Sequence, residues 1–226
     1  MDERQISLLL EGGKFDTVKL VVRHAERPLY RTAKAPNGVS ITEKGMRDAE
    51  RLGVILERNG IRMDGCSSSI VRRCIQTAEL IASGNRYRQP LVTSDSLGGS
   101  PLFMDDSEAL DRTLDTCSIE DIIGRQLAKD KVAGLKDVET GLRIFMGRVL
   151  ADPSRSFEVF VSHDLFVCPS VHYLTATPFS TEGYTGFLEG FFIAVRDDRT
   201  KILWNSRWYD VTDRLGRLFS RGDGSE

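Results

Sequence analysis

Two short stretches of the chain are apolar without alternation: Thr17 to Val22 (TVKLVV) and Phe157 to Val161 (FEVFV). Continuous β-branched and aromatic runs of this length predict strands buried on both faces, as in a parallel sheet. Between them the pattern turns helical. From Ile41 to Asn59, the residues Met46, Ala49, Leu52, Val54 and Leu56 supply an apolar face. Thr42 or Ser40 is the expected N-cap of that helix and Gly60 its stop. A short strand at Met63 to Ser67 leads into a helix from about Ile70 to Ala82, and Leu91-Val92 begins another strand. A helix is expected from Val138 to Leu150, ahead of the second buried run. Phe191 to Val195 and Lys201 to Trp204, joined by Arg196 to Thr200, read as an antiparallel hairpin. This alternation predicts an α/β fold: a three-layer α/β/α sandwich whose central sheet is mostly parallel, with an antiparallel edge.

One segment breaks the rhythm. Ser94 to Lys136 carries Gly98-Gly99 and Pro101, then mixed acidic and apolar helical stretches, and reads as an inserted cap beside the sheet. No repeat or Pro/Gly-rich linker divides the rest, so residues 1–226 are expected to form a single domain, an ordinary size for one α/β core. The last residues, SRGDGSE, read as a loose tail. The opening MDERQISLLLEGG holds a short apolar run without the length or flanks of a signal peptide or membrane span.

A formal net charge of −2 gives no reason to expect nucleic acid or a membrane surface as partner. Any anion site must come from locally focused charge. Cys66, Cys74, Cys117 and Cys168 show neither CxxC pairing nor metal-ligand spacing, and read as reduced packing residues. A cytoplasmic setting follows as the expectation.

The chemistry gathers at predicted strand ends, where open α/β sheets place their ligands. Arg23-His24-Ala25-Glu26-Arg27 follows the first strand. Guanidinium forks bind phosphate oxygens bidentately, and an imidazole between two of them is depressed in pKa, hence neutral and nucleophilic toward phosphorus. Ser162-His163-Asp164 follows the second strand, where the imidazole can donate to a phosphoryl oxygen and the carboxyl can serve as general acid. A third block, SSIVRRCIQTAE (Ser68 to Glu79), sits at a strand-to-helix turn with Arg73 in the first helical turn, beside backbone N–H groups that also favour an anion. Each block has a plain structural reading: a core-edge histidine with solvated arginines, a capping acid at a helix start, an amphipathic helix bearing one exposed arginine.

Together these blocks resemble the histidine phosphatase superfamily, which includes phosphoglycerate mutases and histidine acid phosphatases. RHAER is similar to the family's Arg-His-Gly opening, with Ala25 in the glycine place. SSIVRRCIQTAE is similar to its second-arginine helix, SHD to its second-histidine motif, and ITEKGMRDAERLG (Ile41 to Gly53) to its first helix. The resemblance spans roughly Val18 to Trp204. It implies a phosphoglycerate mutase-like fold and a covalent phosphohistidine at His24, with Arg23, Arg73 and His163 lining the phosphate pocket. Arg27 and Asp164 fit the extra arginine and the proton donor of the acid-phosphatase-like branch, although Pro28 follows Arg27 directly. In the mutase-like branch the donor is a glutamate beyond the second-arginine helix, where this chain offers Asp95, Asp105, Asp106 and Glu108.

The resulting expectation is a metal-independent phosphatase acting on a small-molecule phosphate monoester. His24, Asp164, His163, Arg23 and Arg73 are its catalytic set, and Arg23, Arg27, Arg73 and His163 bind the phosphate. No cofactor and no metal are called for, because arginines supply the positive charge that a divalent ion would bring. A zinc triad of His24, His163 and His172 is electrostatically poor among three arginines. Arg31, Lys34 and Arg72 are candidates for a second anionic group. His172 reads as structural, and Trp204, Trp208, Phe187, Phe191 and Phe192 as packing. A mutase and a catalytically silent phosphate-binding domain are the rival readings. Oligomeric state is left open.

Overall fold

The run TVKLVV becomes β1 (Thr17–Arg23), and it lies at the centre of the sheet. The computed structural model describes residues 3–30, 36–99 and 101–220. Seven strands stand in the order β3-β2-β4-β1-β5-β6-β7. They are β2 (Gly65–Ser68), β3 (Val92–Thr93), β4 (Phe157–Ser162), β5 (Gly190–Arg196), β6 (Arg199–Trp204) and β7 (Arg207–Asp210), in addition to β1. β1, β4, β2 and β3 pair in parallel; β1 pairs antiparallel with β5, and β5 to β7 form a meander. Among the described residues eight α-helices accompany them. These are α1 (Glu3–Glu11), α2 (Glu43–Arg58), α3 (Arg72–Gly84), α4 (Ser107–Thr116), α5 (Ile119–Leu127), α6 (Val138–Val149), α7 (Asp164–Thr175) and α8 (Thr212–Ser220).

The three layers follow from the period of two along the strands. Leu20, Val22, Val159, Val161, Phe192 and Leu203 face one side, where they pack on Ile6 and Leu9 of α1, Leu52 and Leu56 of α2, and Ala78 and Ile81 of α3. Val21, Phe160, Phe191, Ile193 and Ile202 face the other, against Phe145 and Met146 of α6, Val171 of α7 and Leu215 of α8. Both faces of β1 and β4 are therefore buried, which is why their sequences read as unbroken apolar runs. The charged interruptions in those runs face each other: Lys19 Nζ lies 3.4 Å from Glu158 Oε2 and also donates to the Asp152 carbonyl, while Ser67 Oγ donates to Glu158 Oε1.

The antiparallel part is deeper than an edge, because the hairpin read from sequence continues into β7. Asn205 and Ser206 turn the chain with φ of 45° and 58°, the left-handed pair of a tight two-residue hairpin. α1 and α8 are also additions, each burying two or three residues of one face. Thr42 is the N-cap of α2, its Oγ1 accepting from Gly45 N–H, and Asn59 precedes the Gly60 stop. Met46 of the expected apolar face is exposed. Helices α2 and α3 touch backbone to backbone, since a Cβ at Gly53 would sit 2.1 Å from the Ile81 carbonyl oxygen. α4 and α5 gather around a small cluster of their own, Leu110, Ile122, Val132 and Leu135, apart from the two main cores. Residues 221–226 of the expected tail, and Arg31 and Lys34, lie outside the described residues.

Candidate active site

Because β1, β2 and β4 run the same way, their C-terminal ends open onto one edge of the sheet. β1 ends at Arg23 and delivers His24. β4 ends at Ser162 and delivers His163 and Asp164, and β2 leads through Ser69 to Arg73 in the first turn of α3. The backbone ladder extends one residue past the strands, with His24 N–H donating to Ser162 O and Ser69 N–H to Val161 O, each at 2.9 Å. Thr77 ties the next residue down: its Oγ1 accepts from Ala25 N–H at 3.0 Å and donates to Arg73 O at 2.7 Å.

Hydrogen bonding fixes both imidazole tautomers. His24 Nδ1 lies 2.8 Å from the Ala25 carbonyl, which can only accept, so Nδ1 carries the proton. His24 Nε2 is then the bare nitrogen, and Arg73 Nε–H donates to it at 3.1 Å. On the other ring, Arg73 Nη2 donates to His163 Nδ1 at 3.3 Å, which leaves Nε2–H to donate to Ser69 Oγ at 3.1 Å. Ser69 passes its own proton to the Gly98 carbonyl. Gly98 has φ of 107°, and a Cβ there would strike Phe166 and His163, so glycine is required at this turn. Burial, together with the Arg73 guanidinium, lowers the His24 pKa to about 3 and holds His163 well below the ordinary histidine value. Both rings stay neutral in the buried, cationic surroundings.

Asp164 and Arg23 form a pair. Arg23 Nη2 lies 2.6 Å from Asp164 Oδ2, Tyr184 donates its hydroxyl to the same oxygen at 2.5 Å, and Leu165 N–H donates to Oδ1. Burial pushes the Asp164 carboxyl upward, but the Arg23 charge and the Tyr184 hydroxyl outweigh it and hold the group below the ordinary carboxylate range. Arg23 also donates to Thr185 O at 2.9 Å and lies 4.3 Å over the Phe187 ring.

A cavity of about 600 Å³ opens over this edge. Of the residues expected from sequence, His24, Arg27, Arg73, His163 and Asp164 line it. Arg23 is not among the lining residues; its guanidinium is held by the Asp164 carboxylate and the Thr185 carbonyl. Its Nε and that of Arg27 are buried without hydrogen-bond partners. Arg72 is exposed on the outer side of α3, and it does not line the cavity. Asp95, Asp105, Asp106 and Glu108 do not line it either; the acids beyond α3 that do are Asp111 and Asp115. Phe187, expected as packing, lies 5.6 Å from the His24 ring as well as over Arg23. Tyr184, Thr185 and Phe166 were not picked out from sequence, because nothing in their local pattern separates them from ordinary loop and helix residues, and Ser69 and Thr77 were read only as members of the SSIVRRCIQTAE block, without roles of their own.

His172 is structural, as read: its ring nitrogens meet Thr177 O and Gly183 O at 3.0 Å, and it packs against Trp204. A second hollow of about 630 Å³ beside it contains none of the candidate catalytic side chains. Trp208 packs on Phe15, and Phe191 and Phe192 are fully buried. Cys74 touches His163, but burial pushes its thiol up to about 12, so it is no competing nucleophile at neutral pH. Cys66, Cys74, Cys117 and Cys168 are all free thiols. Among the described residues no cluster of three histidine, cysteine or acidic side chains is placed to hold a metal, and no helix is long and apolar enough to cross a membrane.

Residues 20–98 match the model of the histidine phosphatase superfamily (branch 1), a span that takes in β1 from Leu20 onward, His24, Arg27, α2 and Arg73. The resemblance to the histidine phosphatase superfamily holds. Solved structures with the same fold include a phosphoserine phosphatase mutant from Entamoeba histolytica in complex with phosphoserine, at TM-score 0.56 and 15% identity over 86% of this chain and 94% of that one. A phosphoglycerate mutase from Bacillus anthracis gives 0.51 and 15% over 90% and 96%. A mycobacterial glucosyl-3-phosphoglycerate phosphatase gives 0.53 and 15% over 86% and 95%. No curated protein sequence matches the chain. The fold is phosphoglycerate mutase-like, and the histidine phosphatase match supports phosphatase activity in general. The lean toward the acid-phosphatase-like branch rests on Arg27 and Asp164 alone, whereas the matching model is that of branch 1.

Proposed function

We propose that the chain is a metal-independent phosphatase that hydrolyses a small-molecule phosphate monoester through a phosphohistidine at His24. The observation that carries this reading is the His24 tautomer: a bare Nε2 inside a cavity lined by Arg27, Arg73 and His163, with the proton locked on Nδ1 by the Ala25 carbonyl. The phosphoryl oxygens take the guanidinium N–H groups, including the unpartnered Nε of Arg27, and Arg73 turns from His24 Nε2 to the phosphate. His24 Nε2 then attacks phosphorus in line, the phosphorus–ester oxygen bond breaks, and Asp164 protonates the departing alkoxide. Water next attacks the phosphohistidine with the Asp164 carboxylate as base, which returns neutral His24 and releases phosphate.

In the free protein Asp164 is ionised beside Arg23, so it starts as a proton acceptor. The donated proton must therefore arrive with the substrate, as the monoanion of the ester. Monoesters lose that proton near pH 6, so kcat/KM should decline as pH rises above about 6. The segment 94–136 caps the site within a single domain, and the four free thiols fit a reducing cytoplasmic setting. The decisive experiment is rapid quench with ³²P-labelled p-nitrophenyl phosphate in the presence of EDTA. The expected outcome is acid-labile, base-stable label on His24, with phosphate released. Label on serine or cysteine, or activity that needs added Mg²⁺, would sink the reading.

A further inference from the structure

The cavity has two unlike halves. Its floor is the histidine, arginine and aspartate set at the strand ends. The opposite wall comes mainly from the 94–136 segment, with Phe103, Met104, Leu110, Leu114, Ile119 and Leu135. Phe166 joins the halves: its ring centroid lies 6.3 Å from that of His163 and 4.3 Å from that of Phe103. Helix α4 turns positions 110, 111, 114 and 115 into the cavity, so Leu110 and Leu114 form one i,i+4 stripe and Asp111 and Asp115 another. At about 600 Å³ the space lies within the range of pockets that enclose a whole drug-sized ligand, far more than a phosphoryl group needs.

This division has a chemical consequence for the alcohol half of the ester. An apolar group laid along Phe166, Met104, Leu114 and Ile119, half-buried members of the lining, removes hydrocarbon from water on both surfaces. A polyol laid on that carbon surface would leave hydrogen bonds unmade except where a hydroxyl reached Asp111 or Asp115 on the neighbouring stripe. We infer that the preferred substrates are phosphate monoesters of bulky apolar alcohols, alkyl or aryl, of about six carbons or more. The inference rests on the phosphatase reading for its chemistry, but the wall can be tested by binding alone.

The test is titration calorimetry with n-alkylphosphonates from ethyl to octyl, which keep the phosphoryl head and are not hydrolysed. Kd should fall about two- to fourfold per added methylene until the wall is covered, then level off. The phosphonate analogue of glycerol phosphate should bind no better than ethylphosphonate. A Kd that stays flat or rises with chain length overturns the inference, as does a preference for the glycerol analogue. Leu114→Gln, and Met104→Gln should the first variant fold poorly, should shrink the ratio of octyl to ethyl affinity several-fold; a ratio left at the wild-type value also overturns it. Hydrolysis of p-nitrophenyl phosphate is measured alongside. Absence of turnover with an intact chain-length trend would refute the phosphatase reading and leave the apolar wall standing.

Discussion

The floor and the wall of one cavity are built by opposite means. The floor gathers polar side chains from three strand ends far apart in sequence, and hydrogen bonds fix each at a named atom: Nδ1 of His24 on Ala25 O, Oδ2 of Asp164 on Arg23 and Tyr184. The wall is drawn mainly from one continuous segment, and its side chains are held by packing: Leu110, Leu114, Met104 and Leu135 in the small cluster with Ile122 and Val132, and Phe103 in a main core. In the floor identity matters, so a near-isosteric change is costly. In the wall only volume and polarity matter, so apolar exchange is cheap. The difference separates what the site does from what it does it to.

The largest effect is expected from His24→Ala, which should lower kcat/KM by roughly 10⁴-fold or more while the melting transition stays cooperative. Retained turnover would mean the floor holds another nucleophile. Asp164→Asn should come next. It should slow phosphoenzyme formation by about 10²- to 10⁴-fold with alkyl phosphates and only a few-fold with p-nitrophenyl phosphate, whose leaving group departs almost unaided. Rapid quench reads the difference. The same variant strands buried Arg23, so urea unfolding should register a loss of about 3 kcal/mol or more. Equal slowing of both substrates would move the proton donor elsewhere, with Asp111 and Asp115 the first carboxylates to examine. Arg73→Ala should cost about 2–4 kcal/mol in kcat/KM, and exposed Arg72→Ala should stay within a few-fold. Similar small losses at both would break the assignment of the floor.

Smaller effects separate the regions by stability. His24 and His163 are held neutral in the fold, with pKa values depressed below the ordinary 6.5. The unfolded chain therefore binds more protons below that value, and stability should fall as pH drops from about 6.5 toward about 3, with no contribution above it. Urea midpoints across that window should show the slope, and His24→Gln with His163→Gln should flatten it. At the other end of the scale, Ile122→Val in the wall's own cluster should cost about 1 kcal/mol and leave the acid slope unchanged. A change in that slope would show the two regions to be one energetic unit.

The same contrast explains what could be read in advance. Strands β1 and β4 were legible because burial on both faces forbids alternation, and the floor because His24, His163 and Asp164 interrupt apolar chain immediately after them. Arg73 was legible through its place at the start of a helix. Its distinction from Arg72 came from the resemblance, and the structure gives the physical ground by burying Arg73 and exposing Arg72. The wall's segment, Ser94 to Lys136, could be read as a cap, but its lining residues could not, since Leu110 and Leu114 have the spacing of any packed helix. Tyr184 and Thr185 were missed, and Phe187 read only as packing, for another reason: they lie on a loop between α7 and β5, and only tertiary contact with Arg23 and Asp164 gives them a role. β7 was missed because the Asn205-Ser206 turn is short and lacks the glycine that usually marks such hairpins.

The position of β1 bears on how the molecule is made. Its neighbours in the sheet are β4 and β5, so Val18 waits for Phe157 on one side and for Ala194 on the other. During synthesis the segment TVKLVV leaves the ribosome before either of its partners, and it remains a strand with two open edges until they have followed. Loop closure over such distances is slow, and an apolar strand with both edges free is a template for pairing with another nascent chain. The floor of the cavity, whose His24 sits at the end of this strand, can therefore form only after residues 157–195 have been added on either side of it.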